Sequence, residues 1–371
     1  MDRSTEFDDI RPYRDDEIPA AMRRITESSF FPQLASFVFP DDCLEDVRSR
    51  MLGFRTINDF QTCVMREVNR QVISRTISEL TYNGLENLNP EKKYLFISNH
   101  RDIVLDSCLL MYILYLNGHD TGEITFGSNL MQGQLVIDIG KSNKMFRVER
   151  GGNARDMYRN SVHLSEYIRY AITEKRQSVW IAQRNGRTKD GIDHTDQGVI
   201  KMFSMSGPEN RVDALDELNI APVSISYEWE PCDFLKALEL YSTRDNEPYI
   251  KKPGEDLNSI LTGILQYKGR VHINICEPIR REELEALDNM PTVQFHREVA
   301  GLIDKRICGG YRLFPNSYIA HDMLHGNKRF MNLYSNEQFD AFVSHISECD
   351  DISDNAMLRD IFLGIYSNPV G

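Results

Sequence analysis

The chain has 371 residues, of which 41% are hydrophobic and 27% charged, an ordinary globular composition that excludes wholesale disorder. This length predicts two domains, or one large domain with an appendage. A net charge of −13 argues against a dedicated nucleic-acid-binding protein. The exception is the segment 141–190, whose twelve Lys and Arg and five Asp and Glu carry a net +7 and indicate a local anionic ligand.

The first predicted elements are helical. Residues 1–40 contain prolines at positions 12, 19, 32 and 40, which break any long helix. From about Asp42 to Tyr82, apolar residues recur at three- and four-residue steps, which is typical of amphipathic helices. We therefore expect an N-terminal helical region over residues 1–88, with its last helix ending near Gly84.

An α/β pattern follows. Strands that alternate with helices predict a mostly parallel central sheet flanked by helices. After about Glu282 the sequence returns to helical patterns. The predicted fold is therefore an α/β core over 89–280, with helical N- and C-terminal extensions, the latter over 281–371. The strands are predicted at 94–98, 124–126, 145–148, 179–182, 220–227 and 271–276, and the helices of the core at 105–116 and 154–173.

The termini, the apolar runs and the cysteines indicate the compartment. The first sixteen residues are acidic and contain no apolar run, so we expect no signal peptide. The longest apolar run, over 108–116, is too short to span a bilayer, which takes ~20 residues. Seven cysteines without a Cys-x-x-Cys pair predict reduced thiols rather than disulfides or a zinc site. We expect a cytoplasmic protein, soluble or peripherally bound to a membrane, with no transmembrane span.

The segment 97–106, Ile-Ser-Asn-His-Arg-Asp-Ile-Val-Leu-Asp, places a histidine just beyond a predicted strand. In open α/β sheets, ligands bind at the carboxyl ends of the strands. His100 is therefore placed to act as a general base, and Asp102 or Asp106 could orient it and stabilise its imidazolium. The alternative is a structural loop histidine followed by Asp102 as the N-cap of a helix.

Two further segments combine cations with glycines after a strand. Residues 144–152 end in a glycine pair, where Arg150 could meet a phosphate with its guanidinium group. Residues 179–191 open into a basic loop around a glycine that permits close backbone approach. The alternatives are a solvated arginine at a strand end and an ordinary basic turn. Together the two segments predict one shared anion site. The basic loop contains Arg184, Asn185, Gly186, Arg187 and Lys189.

Two other features carry weaker signals. Pro222 lies at the start of the predicted strand 220–227, where it would shape a pocket wall or pack in the core. His321 and His325 are four residues apart but lack the Glu of a zinc-protease helix motif. We interpret this pair as a helix face, and we predict no metal site.

The order and spacing of the four segments resemble the four motif blocks of the glycerolipid (lysophospholipid) acyltransferase superfamily. This group includes glycerol-3-phosphate and 1-acylglycerol-3-phosphate acyltransferases, and the resemblance covers roughly residues 90–230. It implies that His100, oriented by Asp106, deprotonates an acceptor hydroxyl. The hydroxyl then attacks the thioester carbonyl of acyl-CoA or acyl-carrier protein, and no cofactor beyond this acyl donor is implied.

The resemblance also implies a lipid acceptor at a membrane surface. Without a spanning helix, contact with the inner face of the cell membrane would use exposed apolar and basic side chains. The phosphate of the acceptor would meet the basic loop and the second-block arginine. The expected substrate-binding residues are Asn99, Arg150, Arg184, Asn185, Gly186, Arg187, Lys189 and Pro222.

Two departures from the family pattern keep alternatives open. Five residues instead of four separate His100 from Asp106, so the intervening loop must absorb one residue, or Asp102 serves instead. Asn185 stands where the family usually has Glu, which keeps hydrogen bonding but removes a charge. The acceptor could therefore be another lyso-amphiphile, such as an aminolipid. A catalytically impaired lipid- or anion-binding protein is the further alternative, favoured if His100 lies beyond ~3.2 Å from both carboxylates.

Overall fold

The computed structural model describes residues 3–243, 249 and 251–371. Within these residues, seven strands form one sheet. The predicted strands are confirmed, with ends that differ by no more than two residues. The strands are β1 (Ile77–Asn83), β2 (Leu95–Ser98), β3 (Glu123–Gly127), β4 (Met145–Val148), β5 (Val179–Ala182), β6 (Ile220–Tyr227) and β7 (Gly269–Ile275).

The strand order across the sheet is β1-β7-β6-β2-β5-β3-β4. Strands β2 to β6 are mutually parallel, β7 is antiparallel to β6, and β1 is parallel to β7. The predicted mostly parallel α/β sheet is therefore confirmed. Because five neighbouring strands point the same way, their carboxyl ends meet at one edge and bring together the loops that follow them.

Helices precede the sheet, as predicted, but the last of them ends at Thr76 and not near Gly84. The helical prediction over Asp42 to Tyr82 is wrong beyond Thr76, where strand β1 begins and pairs with β7. Strand preference depends on pairing, and the partner of β1 lies almost two hundred residues away, so a local pattern does not reveal it. The helices are α1 (Ile18–Glu27), α2 (Phe31–Val38), α3 (Leu44–Leu52), α4 (Ile57–Phe60) and, after a π-helical turn at Gln61–Met65, α5 (Arg66–Thr76).

Helices cover both faces of the sheet because alternate strand residues point to opposite sides. In β2, Leu95 and Ile97 belong to one apolar core and Phe96 to the other. The first core packs against the helices over 154–173 and 292–309, and the second against α5 and the helix over 105–116. The intervening helices are α6 (Leu105–Leu116), α7 (Gln134–Ser142), α8 (Ala154–Thr173), α9 (Gln197–Phe203), α10 (Arg211–Asp216), α11 (Asp233–Ser242), α12 (Glu255–Leu265), α13 (Arg281–Glu285) and α14 (Thr292–Gly309).

The predicted helical C-terminal extension is confirmed. Its helices build a separate apolar core against α11, around Phe342 and Phe362. The domain boundaries at residues 88 and 280 stay predictions, although β1 joins the sheet from before the first of them. Across the described ranges, no helix is both long and apolar enough to cross a membrane. The helices of the extension are α15 (Pro315–Leu324), α16 (Asn336–Ser347), α17 (Asp350–Asp354) and α18 (Ala356–Ser367).

Candidate active site

The carboxyl ends of β2, β3, β4 and β5 surround a cleft of about 440 Å³. The structure brings most of the predicted site residues into it, although they come from three different loops. This convergence follows from the parallel sheet, which delivers each loop to the same edge. The predicted residues that line the cleft are His100, Arg150, Arg184, Asn185, Gly186, Arg187 and Lys189.

His100 is held by a carboxylate on one side of its ring. Its Nδ1 lies 3.0 Å from Oδ2 of Asp106, a residue with no exposed surface. A carboxylate only accepts hydrogen bonds, so Nδ1 carries the proton and Nε2 keeps a lone pair. No described residue forms a hydrogen bond with Nε2. The imidazole is therefore oriented and tautomerically fixed as a general base requires.

Asp106 in turn is held by three other donors. The backbone N–H groups of Arg101 and Asp102 donate to its Oδ2 at 2.7 and 2.9 Å, and the hydroxyl of Tyr227 donates to its Oδ1 at 2.8 Å. Burial and the charge of Asp106 raise the pKa of Tyr227 well above its usual value, so the phenol stays a donor. This role of Tyr227 is not evident from the sequence, because the end of β6 meets the start of α6 only in the folded chain.

The loop 101–104 absorbs the inserted residue. Asp102 caps the following helix, because its Oδ1 accepts the N–H groups of Val104 and Leu105 at 2.8 Å each. The other oxygen, Oδ2, is buried and has no partner among the residues described. Burial and the charge of Asp106 raise the pKa of Asp102, although the two capping hydrogen bonds act to lower it. The structure therefore pairs His100 with Asp106, and Asp102 fills the capping place that was its alternative role.

The backbone around His100 is fixed from two further directions. The N–H of Thr188 donates to the carbonyl of His100 at 2.7 Å and so ties the basic loop to the histidine loop. The ring of Trp180 stands edge-on to the imidazole at 5.8 Å, and its Nε1–H donates to Ser98. Both residues were missed in the sequence, where Trp180 is one of several apolar residues in a buried strand.

Three arginines in the cleft have no carboxylate within ion-pair distance among the described side chains: Arg150, Arg184 and Arg187. The two lysines in the cleft are already paired, Lys189 with Glu239 and Lys251 with Asp256. Burial lowers the pKa of Arg150, although Asp256 opposes this, and Nη1 of Arg187 is buried without a partner. These uncompensated guanidinium groups make the cleft attractive to an anion.

Strand β3 ends in a glycine that makes room for one of these arginines. A Cβ atom at Gly127 would lie 2.9 Å from Nε of Arg150 and 2.7 Å from Oδ1 of Asn129. Asn129 donates to Asp256 at 3.1 Å, and its own Oδ1 is buried with no partner within the described part of the chain. Asn129 and Asp256 were also missed, because Asp256 arrives on α12 from a region without a motif.

Two predicted substrate-binding residues lie elsewhere. Asn99 is fully buried, donates to Asp193 and to the carbonyl of Ile225, and accepts from the N–H of Ile225. It joins β2 to β6 and points away from the cleft, because consecutive residues in an extended chain face opposite sides. Pro222 lies inside β6, opposite Ile97, and does not line the cleft either. Both residues therefore lie outside the cleft, and their contact with the substrate stays a prediction.

Behind the histidine loop lies a buried network of charges. The guanidinium of Arg101 contacts Asp193 at 2.6 Å and Glu230 at 3.4 Å, and Lys236 donates to Glu230 at 2.6 Å. Tyr311, which follows α14, donates to Asp193 and thereby connects the C-terminal extension to this network. The network surrounds the residue that follows His100, so it holds the histidine loop in place.

The histidine pair of the C-terminal extension lies on one helix end. The rings of His321 and His325 are 4.4 Å apart. Over the described residues, no group of three or more His, Cys, Asp or Glu side chains could hold a metal ion.

Residues 79–226 match the family model described as Acyltransferase, in agreement with the resemblance of the motif order to that family. A comparison with curated proteins found no match. Among solved structures, the chain is similar to the 1-acyl-sn-glycerophosphate acyltransferase PlsC from Thermotoga maritima, at 15% sequence identity and a TM-score of 0.38. That comparison covers 80% of this chain and 96% of the PlsC chain.

Proposed function

Because residues 79–226 belong to the acyltransferase family, we propose that this protein moves a fatty acyl group onto a (lyso)glycerophosphate-type acceptor. The donor is the thioester of acyl-CoA or acyl-carrier protein, and the acceptor group is a hydroxyl. The reaction is of the kind that builds phospholipids. The observation that carries this proposal is the 3.0 Å contact between His100 and Asp106 at the wall of a cleft with three unpaired arginines.

The proposed mechanism uses His100 as the base. Nε2 takes the proton of the acceptor hydroxyl as its oxygen attacks the thioester carbonyl. The tetrahedral intermediate then collapses, the carbon–sulfur bond breaks, and the leaving thiolate receives the proton from the imidazolium, which Asp106 stabilises meanwhile. A thioester is already activated, so a positioned base and oxyanion donors suffice and the proposal includes no further cofactor.

The arginines are proposed to bind the phosphate of the acceptor. Guanidinium groups match phosphate oxygens in a bidentate geometry, and three of them converge here, none of them within ion-pair distance of a described carboxylate. Gly186, in a left-handed backbone conformation with φ 77°, lets the basic loop turn between Arg184 and Arg187. Asn185 lies exposed at the rim, where it can hydrogen-bond to a headgroup.

A second candidate acceptor is an amine-bearing lyso-amphiphile such as an aminolipid. Glu239 and Asp256 support it, because both carboxylates line the cleft. They now pair with the ammonium groups of Lys189 and Lys251, and the ammonium group of a substrate could take the place of either lysine. The alternative of a catalytically impaired binding protein is weakened, since the distance from His100 to Asp106 meets the ~3.2 Å criterion.

The test is product analysis. Purified protein is incubated with acyl-CoA, or acyl-carrier protein, and a panel of acceptors: glycerol 3-phosphate, lysophosphatidate and lyso-aminolipids. Mass spectrometry then identifies the acylated product. We expect a phosphate-bearing product from the wild-type protein and none from His100→Ala. Acylation of aminolipids alone would favour the second candidate, and no product from any pair would contradict the proposal.

A further inference from the structure

We propose that α12 docks the protein onto a lipid bilayer, with the mouth of the cleft facing the membrane. Leu257, Leu261 and Leu265 recur at four-residue steps and so form one stripe along this helix. Their exposed fractions are 57%, 49% and 59%. The inference rests on the proposed function, because it specifies how a lipid acceptor reaches the same cleft.

The polarity of α12 is partly inverted. The two residues that it buries fully are Ser259 and Gly263, and Ile264 packs partly buried against the second apolar core, whereas its leucines point outwards. Gly263 packs so closely on Asp102 that a Cβ atom would lie 2.0 Å from Oδ2. The three leucines lie outside these contacts, so packing against the protein does not account for the leucine stripe. A helix of a water-soluble surface usually shows the opposite arrangement.

The stripe adjoins the opening of the cleft. Asp256 in the first turn of α12 and Lys251 just before it line the cleft. On another part of the rim, the first turn of α8 exposes Met157 and Tyr158, to 55% and 63%, and Met157 also lines the cleft. Apolar side chains therefore stand on two sides of one opening, where an acyl chain could pass from the bilayer to the candidate base.

Cations accompany both apolar rims. Lys251 and Lys252 are exposed before α12, and Arg155 and Arg159 are exposed in the first two turns of α8. Lys251 and Arg159 each contact a neighbouring aspartate, whereas Lys252 and Arg155 have no ion-pair partner among the described residues. In a protein with a net charge of −13, this grouping of cations with exposed apolar side chains fits a surface of anionic headgroups above an apolar interior.

A bilayer suits the leucine stripe better than a second copy of the chain. Three half-exposed leucines on one helix amount to a patch of a few hundred Å² at most. A stable protein–protein interface takes about 800 Å² from each partner. Insertion into a bilayer requires no minimum buried area, because the transfer of each apolar side chain out of water is favourable on its own.

The test is cosedimentation of purified protein with vesicles of phosphatidylcholine and phosphatidylglycerol. We expect wild-type protein to bind, and Leu257→Gln/Leu261→Gln to bind roughly tenfold or more weakly. Leu116→Gln is the matched control, since Leu116 is 54% exposed at the end of α6, on the opposite edge of the sheet from the cleft. This control should bind like wild type. Circular dichroism and thermal unfolding establish that each variant is folded.

Two results would overturn the inference: no binding of the wild-type protein to these vesicles, or equal binding by wild type and the double variant. Conversion of a wild-type dimer into monomers by the double variant, with vesicle binding unchanged, would assign the stripe to a second copy instead. Acyl transfer by the wild-type protein to a short-chain acceptor dispersed without vesicles is measured separately. Its absence would contradict the proposed function, whereas loss of vesicle binding alone would contradict only the docking surface.

Discussion

The two nitrogens of the His100 ring have different surroundings, and this asymmetry decides what the residue can do. Nδ1 faces Asp106 at 3.0 Å, inside a shell of backbone donors and the Tyr227 hydroxyl. Nε2 is left for the cleft. An imidazole fixed in this way can take a proton without reorienting, which lowers the cost of reaching the transition state.

Asp106→Asn should slow acyl transfer by about 10²- to 10⁴-fold, because an amide neither stabilises the imidazolium nor enforces the tautomer. Steady-state kcat of purified variants measures the effect. In a His100→Ala background the same substitution should change nothing further, since its effect passes through the histidine. If the two losses multiply instead, Asp106 acts independently of His100.

Arg187→Ala should raise the KM for a phosphorylated acceptor by about 10- to 100-fold, with little change for the acyl donor, because a charged hydrogen bond to phosphate is lost. Initial rates at varied concentrations of each substrate separate the two constants. Lys189→Ala is the control. Its ammonium is already paired with Glu239, so the KM should rise by less than about fivefold. A selective effect on the acyl donor would place the phosphate elsewhere.

At the scale of elements, α12 comes very close to the histidine loop at one residue. Gly263 brings the helix backbone against Asp102 and thereby sets one wall of the cleft beside the loop that carries His100. The position of this helix depends on the absence of a side chain, since any larger residue would meet a buried carboxylate.

Gly263→Ala should lower the free energy of unfolding by about 1–3 kcal/mol, because the new methyl group overlaps Oδ2 of Asp102. Urea unfolding of purified protein measures this. The control is Gly301→Ala in α14, where a Cβ atom would meet nothing within 4 Å. There the substitution should be neutral or stabilising, since alanine favours a helix by up to about 1 kcal/mol. Equal loss in both variants would contradict the steric explanation.

At the scale of the whole molecule, the C-terminal extension and the core share a buried polar boundary. His345 in α16 and Tyr366 in α18 both contact Asp233 of α11, at 2.7 and 2.6 Å. Tyr311 reaches Asp193 beside Arg101. The extension therefore helps to hold the histidine loop in place, a role that its acidic sequence does not suggest.

Asp193→Asn should cost about 3–5 kcal/mol of stability at neutral pH, because it leaves Arg101 buried with a weaker partner. Burial raises the pKa of Asp193, but Arg101 and three hydrogen-bond donors outweigh it, so the pKa is below its usual value. The ionised carboxylate thus stabilises the fold above the unfolded pKa of about 3.9, and this contribution disappears as the pH falls through the folded pKa.

Unfolding midpoints measured from neutral to acidic pH test the pH dependence. The difference between wild type and Asp193→Asn should be largest near neutrality and shrink below about pH 4. Asp190→Asn is the control, because the carboxylate of Asp190 has no ion-pair partner among the described residues and is partly exposed. Its unfolding midpoint should follow that of the wild type at every pH. A difference for Asp193→Asn that stays constant with pH would show that the ionised carboxylate is not what stabilises the network.

The predicted site was most accurate where a residue follows a parallel strand. His100, Arg150 and Arg187 each follow one, and the geometry of a parallel sheet brings such positions to one edge. Asn99 lies outside the cleft because strand alternation turns it away from its neighbour His100. Tyr227 and Asp256 were missed for another reason: each reaches the site through contacts across more than a hundred residues of sequence.

By itself the sequence determined the α/β class, the family and the basic segment 141–190, because periodicity, motif order and charge are local properties. Only the tertiary structure decided between Asp102 and Asp106, placed β1 in the sheet and turned the leucines of α12 outwards. Those outcomes depend on which distant groups meet and how closely, and no local pattern encodes such distances. The structure therefore shows where the basic segment of this acidic chain lies, since Arg150, Arg184 and Arg187 all line one cleft.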